Sequence, residues 1–312
     1  MTPLNRVELP VGAHVGRYRL VERIGGGVNT HVFAAYDQGF DRTVALKCMT
    51  AEMQDEREAR ARFYREARIT ANLRHPNIVS VLDVGEDVGR PFIVMELLKG
   101  LALGDYLRAN APTDVKTVLY LITQLYQGLQ AAHAQGAVHR DVKPSNCFVQ
   151  NDGVLKILDF GLARLHTSTL TAGGVIMGTP AFMSPEQAEG RQVDERSDIF
   201  SAAAVSYFML AGRAPFAAAD LPRTLHALLN NDPEPITETT VPAALWRVLS
   251  KALAKSPDNR YQHCAEVLAD LTDVRRSLEE PPRSGSGVPG GLRGPAPELR
   301  RRIAAFAGMV GL

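Results

Sequence analysis

The fold is decided by the stretch His139-Arg-Asp-Val-Lys-Pro-Ser-Asn146, which is followed by Asp159-Phe-Gly161. In the first stretch, Asp141 is suited to accept the proton of an attacking hydroxyl. Lys143 stands two residues later, where its ammonium would offset charge on a phosphoryl group during transfer. A base and a nearby positive charge are two of the groups that phosphoryl transfer would require.

The same segments supply oxygen ligands for a metal ion. Asn146 closes the first stretch, and Asp159 follows Asp141 by 18 positions. Mg²⁺ is held by one or two carboxylates together with substrate phosphates, which this pair would allow. We therefore expect Mg²⁺ at Asn146 and Asp159, and ligand type alone leaves Mn²⁺ open as an alternative.

A glycine-rich segment and a lysine–glutamate pair lie further towards the N-terminus. The segment Ile24–Val32 reads IGGGVNTHV, and its glycines let a backbone approach phosphates without a Cβ in the way. A glycine-rich hairpin is the alternative. Lys47 in VALK and Glu66 in the next helix are either solvated charges or an ion pair that aims the ammonium at the phosphates.

Composition limits the class of protein. The formal net charge is +1, so no broad field favours nucleic acid or an anionic membrane. The three cysteines, Cys48, Cys147 and Cys264, form no metal-binding pattern, and a reduced, cytoplasmic setting is expected. The first residues lack a signal-peptide core, and no apolar run reaches the length of a membrane span.

Periodicity divides the chain into two lobes. From Tyr18 three β-like runs precede a charged helical segment at Ala51–Leu73, and strands follow at Val79–Val84 and Pro91–Glu96. The next residues are mostly helical, beginning with Thr117–Gly136. This pattern predicts a β-rich lobe with one helix, followed by an α-rich lobe.

In this order and spacing, the motifs resemble those of the eukaryotic-type (Hanks-type) protein kinase family, in a bacterial form. They read IGGGVN, VALK, HRDVKPSN, DFG and SPE. The resemblance implies the α+β, bilobal protein-kinase fold and ATP as phosphoryl donor. It predicts a leader at 1–17, a kinase domain at 18–278 (N-lobe 18–98, C-lobe 99–278), a flexible linker at 279–300 and a basic-apolar tail at 301–312.

The resemblance also assigns side chains to ATP and to the fold. Its backbone hinge would bind adenine, with apolar side chains above and below the ring. The implied ATP-binding residues are Ile24, Gly25, Gly26, Gly27, Val32, Ala45, Lys47, Met95, Glu96, Leu98 and Phe148. The implied architectural residues are Glu186 and Arg260, as an ion pair, and Asp198, which would brace the catalytic loop.

Residues near the catalytic loop imply the acceptor and the control of the enzyme. Lys143 in HRDxKPxN resembles the serine/threonine class, and Thr179 would bond Asp141 and Lys143 beside the substrate hydroxyl. An arginine at position 140 often pairs with an activation-loop phosphate in the family, which predicts autophosphorylation at Thr169 and Thr171. Protein substrates are implied, with self-association for autophosphorylation in trans.

Two positions depart from the family's motifs, and the first of them supports an alternative function. Thr30 replaces the third loop glycine, which puts ATP affinity in doubt and supports a nucleotide-binding pseudokinase as the alternative. Ser184 replaces the usual alanine of the Ala-Pro-Glu motif. A small-molecule kinase on a related fold is disfavoured, because such enzymes generally lack the GTP…SPE segment.

The C-terminal residues raise a membrane question. PPRSGSGVPGGLRGPAP reads as a linker, and LRRRIAAFAGMVGL places arginines before about ten apolar residues. Arginines in this position fit the cytoplasmic end of a transmembrane helix. The two interpretations are a short amphipathic or disordered terminus and the start of a span that would tether the kinase to the inner face of the plasma membrane.

Overall fold

The computed structural model describes residues 9–27, 29–50, 53, 56–160, 180–236 and 241–279. Its strands are β1 (His14–Val15), β2 (Tyr18–Gly26), β3 (Thr30–Asp37), β4 (Arg42–Met49), β5 (Val81–Asp87), β6 (Arg90–Glu96), β7 (Gly100–Ala102), β8 (Cys147–Gln150) and β9 (Leu155–Ile157). Its α-helices are α1 (Arg57–Asn72), α2 (Leu103–Ala109), α3 (Val115–His133), α4 (Pro185–Ala188), α5 (Glu195–Ala211), α6 (Leu221–Asn230), α7 (Ala243–Ala252) and α8 (Cys264–Glu279).

The N-lobe is a six-stranded antiparallel sheet in the order β1-β2-β3-β4-β6-β5. Alternation along β4 gives the sheet two faces. Val44, Leu46 and Cys48 belong to the core on one face. Met49 belongs to the core on the other face, where Phe63 of α1 packs. Helix α1 therefore covers the same face of the sheet that carries Lys47.

The C-lobe is built around α5, which is buried on nearly all sides. Small residues such as Ala203 and Ala204 allow neighbouring helices to approach it closely. Asp194 caps its N-terminus by accepting a hydrogen bond from the Arg196 N–H, and the helix ends at Gly212 with φ of 69°. The small sheet β7-β8-β9 lies at the start of this lobe.

The structure confirms the two-lobed α+β architecture and corrects several boundaries. The loose leader predicted at 1–17 is wrong at its end, because His14–Val15 pair with β2 and Val15 is buried. The strand predicted at Val79–Val84 begins two residues later, because the Val79 N–H bonds the Ile157 carbonyl at 3.0 Å. Sequence patterns did not predict β7 or α2.

Within the described part of the chain, no helix is long and apolar enough to cross a membrane. Several sequence predictions concern residues outside that part. They are the activation-segment residues Thr169, Thr171 and Thr179, the linker from residue 280 onward and the tail at 301–312.

Candidate active site

The roof of the site lies on one face of the N-lobe sheet. Directly paired residues share a face, and Lys47 pairs with Val32 on one side. Ala45, two residues before Lys47, pairs with Met95. Lys47, Val32, Ala45 and Met95 therefore lie on a common face, as the sequence analysis required for an ATP pocket.

Lys47 lies between two carboxylates. Its Nζ is 2.8 Å from Glu66 Oε1 and 2.7 Å from Asp159 Oδ1. Burial would lower the pKa of Lys47, but the charges of Asp159 and Glu66 outweigh it and raise that pKa. The ammonium is therefore charged, and α1 lies close enough to complete the pair that the sequence predicted.

The two carboxylates respond to this shared lysine in opposite ways. Burial raises the pKa of Glu66, and Lys47 offsets the effect only in part. Burial would also raise the pKa of Asp159, but the Lys47 charge prevails and lowers it. Asp159 thus carries the negative charge that a metal ligand needs, and 43% of its side chain is exposed.

The catalytic-loop side chains are bonded to one another. Lys143 Nζ donates to Asp141 Oδ2 at 2.7 Å, and Asn146 Nδ2 donates to the same oxygen at 3.0 Å. Asn146 also donates to the Asp141 carbonyl at 2.8 Å. Among the described residues, both side-chain donors bond Oδ2 of this exposed carboxylate, and neither bonds its second oxygen, Oδ1.

Asp198 of α5 shapes this loop from beneath. Its Oδ2 accepts the His139 N–H at 2.7 Å, and its Oδ1 accepts the Arg140 N–H at 2.8 Å. Arg140 has φ of 66°, a left-handed conformation that costs about 1–2 kcal/mol for a residue with a Cβ. The two bonds to Asp198 hold this conformation, so the bracing role predicted for Asp198 agrees with the geometry.

The glycine-rich segment forms the hairpin between β2 and β3. Gly26 has φ of 136°, and a Cβ there would lie 2.4 Å from the Thr30 carbonyl oxygen. Gly27 donates its N–H to that same oxygen at 2.8 Å. Thr30 therefore closes the hairpin through its backbone. Ile24 and Gly25 precede this turn in β2, on the strand that pairs with β3.

The hinge between the lobes is fixed by a lysine that sequence reasoning missed. Lys156 Nζ is 2.7 Å from Glu96 Oε1, and the Ser80 N–H donates to the same oxygen at 2.8 Å. Phe148 pairs directly with Lys156 across β8 and β9, so it lies on the face that reaches the hinge. The role of Phe148 as the floor beneath adenine and that of Leu98 in the hinge remain predictions.

The ligands expected for a divalent cation are suitable for it. Lys47 bonds Oδ1 of Asp159, and both Asn146 bonds use Nδ2, so among the described residues no hydrogen bond takes Asp159 Oδ2 or Asn146 Oδ1. The Leu158 N–H bonds the Asn146 carbonyl at 2.8 Å, which brings the two segments together. No group of three His, Cys, Asp or Glu residues in the described ranges could hold a metal alone. A cation here needs phosphate oxygens as further ligands.

The architectural ion pair has the expected partners. Arg260 donates to Glu186 through both terminal nitrogens, each at 2.8 Å, and Ser197 donates to Glu186 at 2.5 Å. Burial would raise the pKa of Glu186, but the Arg260 bonds prevail and lower it. The pair joins α4 to the loop before α8, next to the catalytic loop.

Fold and site together define a protein kinase domain. The sequence model of the family described as "Protein kinase domain" matches residues 18–270, so the chain belongs to the protein kinase family. This confirms the resemblance drawn from the motifs. Members of the family use ATP and a divalent metal ion.

The chain is similar to bacterial proteins that are named serine/threonine-protein kinases. Serine/threonine-protein kinase PknB of Mycolicibacterium smegmatis is 38% identical over 267 residues, covering 83% of this chain and 43% of the relative. The Mycobacterium tuberculosis PknB is 38% identical over 277 residues, covering 86% and 44%. The crystal structure of the Mycobacterium tuberculosis PknI kinase domain superposes with a TM-score of 0.65 at 28% identity, covering 85% of this chain and 99% of that one.

The bacterial source of these relatives agrees with the sequence prediction. The chain spans less than half the length of the curated relatives it matches.

Proposed function

We propose that this chain transfers the γ-phosphoryl group of ATP to serine and threonine hydroxyls of proteins. The observation that carries the proposal is the bonded group of Asp141, Lys143 and Asn146. It lies beside Asp159, which Lys47 holds. Positioning and charge stabilisation are the main requirements of phosphoryl transfer, and these residues supply both.

Asp141 has the geometry of a base that orients the acceptor hydroxyl. Both of its side-chain donors use Oδ2, so Oδ1 is the oxygen left to accept the hydroxyl proton. Lys143 forms an ion pair with this carboxylate and supplies a positive charge towards the transferred group. Nearly half of the Asp141 side chain is exposed, at 48%, so a protein substrate has access to it.

We propose Mg²⁺ for Asp159 and Asn146, whose oxygens suit a hard divalent cation, with Mn²⁺ as the alternative that the same ligands would accept. When bound with ATP, it would neutralise charge on the phosphates. Lys47 would hold the α- and β-phosphates, with Glu66 fixing its direction. Thr179, which lies outside the described residues, completes the proposal as the residue that selects serine and threonine acceptors.

The pseudokinase alternative rests on Thr30, and the geometry of the hairpin weakens it. The bond that closes the turn uses the Thr30 carbonyl oxygen, which any residue supplies. Lys47, Glu66, Asp141, Asn146 and Asp159 are all in place. The kinase proposal is therefore preferred.

The test is incubation of the purified chain with radiolabelled ATP, Mg²⁺ and a generic basic protein, beside Asp141→Asn. We expect label on serine or threonine, reduced at least about 10³-fold in the variant, because the base and its charge are lost. ATP binding should be equal in both proteins. Equal labelling of both, or ATP binding without any label, would refute the proposal, and the latter would favour the pseudokinase.

We extend the proposal to autophosphorylation at Thr169 and Thr171. Among the described residues, Arg140 Nε is buried and has no hydrogen-bond partner. A phosphate on the loop would supply acceptor oxygens to this guanidinium. A phosphopeptide map of the labelled chain tests the sites, and a map with neither threonine modified would rule them out.

Two further parts of the proposal concern the whole protein. Transfer between copies predicts an autophosphorylation rate per molecule that rises with concentration, and a rate independent of concentration would exclude it. Tethering at the inner face of the plasma membrane requires that the apolar tail continue as a span. A stop codon directly after Leu312 in the reading frame would exclude it.

A further inference from the structure

Gln187 is in the first turn of α4 and bonds in two directions. Its Oε1 accepts the Ser184 backbone N–H at 3.0 Å and the Ser184 hydroxyl at 3.1 Å. Its own N–H donates to Ser184 Oγ at 3.4 Å, which completes a capping box. The oxygen end of the Gln187 side-chain amide is therefore bonded to the N-terminal cap of α4.

The other end of the amide reaches the catalytic loop. Gln187 Nε2 donates to the Arg140 carbonyl at 2.7 Å. The orientation of the amide is determined by its partners, because the Ser184 N–H requires an acceptor and the Arg140 carbonyl requires a donor. Reversing the amide would lose the bonds to both groups.

The Arg140 carbonyl belongs to the peptide group that carries Asp141. The N–H of that peptide group, which is the Asp141 N–H, donates to His139 Nδ1 at 3.2 Å. Asp198 holds the preceding N–H, that of Arg140, at 2.8 Å. Gln187 thus bonds the one polar atom of this peptide group that neither His139 nor Asp198 holds.

The held peptide group is in a conformation that needs support. With Arg140 at φ of 66°, relaxation to the common α or β regions would rotate the following peptide and move the Asp141 side chain. Rate falls steeply with small displacements of a reacting group, by about 10²-fold for 1 Å. A bond that prevents this rotation therefore acts on catalysis without touching the substrate.

We propose that Gln187 is a positioning residue that fixes the Arg140–Asp141 peptide group and thereby the direction of the Asp141 carboxylate. It also ties α4, which follows the segment that includes Thr179, to the catalytic loop. The inference rests on the proposed kinase function for its kinetic consequence. Its structural consequence, protection of the catalytic-loop backbone, does not depend on activity.

Two variants test separately the bonds made at the two ends of the Gln187 side-chain amide. Gln187→Glu keeps the size and the oxygen that faces Ser184, but it places a carboxylate oxygen against the Arg140 carbonyl. Ser184→Ala is the matched control, because it removes the buried capping hydroxyl and leaves the Nε2 bond to Arg140 intact. The measurements are kcat, KM for ATP, melting temperature and hydrogen exchange of backbone amides 139–142.

For Gln187→Glu we expect kcat to fall at least about tenfold, with KM for ATP within about twofold and faster exchange at 139–142. For Ser184→Ala we expect a lower melting temperature and a kcat within about twofold of the parent chain. Unchanged kcat and exchange in Gln187→Glu would overturn the inference, as would an equal fall in both variants. If the parent chain proves inactive, the kinase proposal fails, and the exchange of the two variants still decides the role of Gln187.

Discussion

Two ion pairs in this molecule each join a glutamate to a buried cation, and they differ in how completely that glutamate is paired. Glu186 receives two bonds from Arg260 and one from Ser197. Arg260 also donates to the backbone carbonyls of Ala254, Lys255 and Arg196. Glu66 has only a share of Lys47, because Asp159 takes the same ammonium.

The pKa directions follow from this difference. The pKa of Glu186 is lowered, because its bonds to Arg260 overcome burial. The pKa of Glu66 is raised, because burial and the neighbouring Asp159 charge prevail over a lysine charge that Glu66 shares with Asp159. The same residue type in the same domain is therefore favoured as a carboxylate in one place and disfavoured in the other.

The two ion pairs suit different roles, because one is closed to further ligands and the other can bind them. The Arg260 pair has a neutral charge balance and its donors are used within the protein, so it has little capacity to bind anything else. The Lys47 group has two carboxylates for one cation, and much of Asp159 is exposed. Such a group can accept a metal ion and phosphates, which is the requirement for an active site.

Removing Arg260 should give the largest effect. Arg260→Met leaves Glu186 buried without its cation, and we expect about 3–5 kcal/mol less unfolding free energy. Arg276→Met is the control, because Arg276 forms an exposed pair with Asp273 that contributes less than about 1 kcal/mol. Urea unfolding measures the free energy of unfolding of both variants. Equal losses would contradict the expectation that the buried pair contributes more than the exposed one.

Removing Lys47 should act on the rate more than on stability. Lys47→Met is expected to lower kcat by about 10²–10³-fold, because the phosphates lose a directed positive charge. Its loss of unfolding free energy should be smaller than that of Arg260→Met, since Glu66 can bind a proton. The exposed Lys116 provides the control, Lys116→Met. A fall in stability equal to that of Arg260→Met, without a fall in kcat, would contradict a catalytic role for Lys47.

The pH dependence of stability should show the smallest effect and a difference in sign. A lowered folded-state pKa means that the unfolded state binds more protons, so Glu186 adds stability above its ordinary value of 4.5 that is lost as pH falls. A raised pKa has the opposite effect, so Glu66 costs stability as pH rises through 4.5.

Urea unfolding of two variants from pH 4 to pH 7 tests this difference in sign. Glu186→Gln should flatten the rise of unfolding free energy with pH, whereas Glu66→Gln should steepen it. Slopes that change in the same direction would show that the two glutamates are not distinguished by their pairing.

The sequence alone predicted the site residues that lie close to one another in the chain. Asp141, Lys143 and Asn146 are within six positions of one another, so their spacing alone placed them in one loop. Lys47, Glu66 and Asp159 are far apart in the chain, and only the order of motifs brought them together. In the structure Lys47 forms the predicted pair with Glu66, and it also bonds Asp159, which the sequence did not predict.

The residues that were missed act through contacts that no local pattern encodes. The spacing of Ser184 and Gln187 could have predicted a capping box. The bond from Gln187 to the Arg140 carbonyl depends on how α4 packs against a loop 47 positions away. Likewise, Lys156 resembles any strand lysine in sequence, and only the approach of β9 to the hinge gives it Glu96 as a partner.

The segment around Asn77 follows the N-lobe helix in the chain, but its bonds belong to the C-lobe. Asn77 Nδ2 donates to Gln124 of α3 at 2.8 Å and to the Leu155 carbonyl at 2.9 Å. The Asn77 carbonyl accepts the Ile157 N–H at 2.8 Å. These bonds tie the segment to α3 and β9, so we expect it to remain with the C-lobe if the six-stranded sheet and α1 move as one body. A small rotation near the Lys156–Glu96 contact would then give a larger displacement at the tip of the glycine-rich hairpin, because displacement grows with distance from the axis.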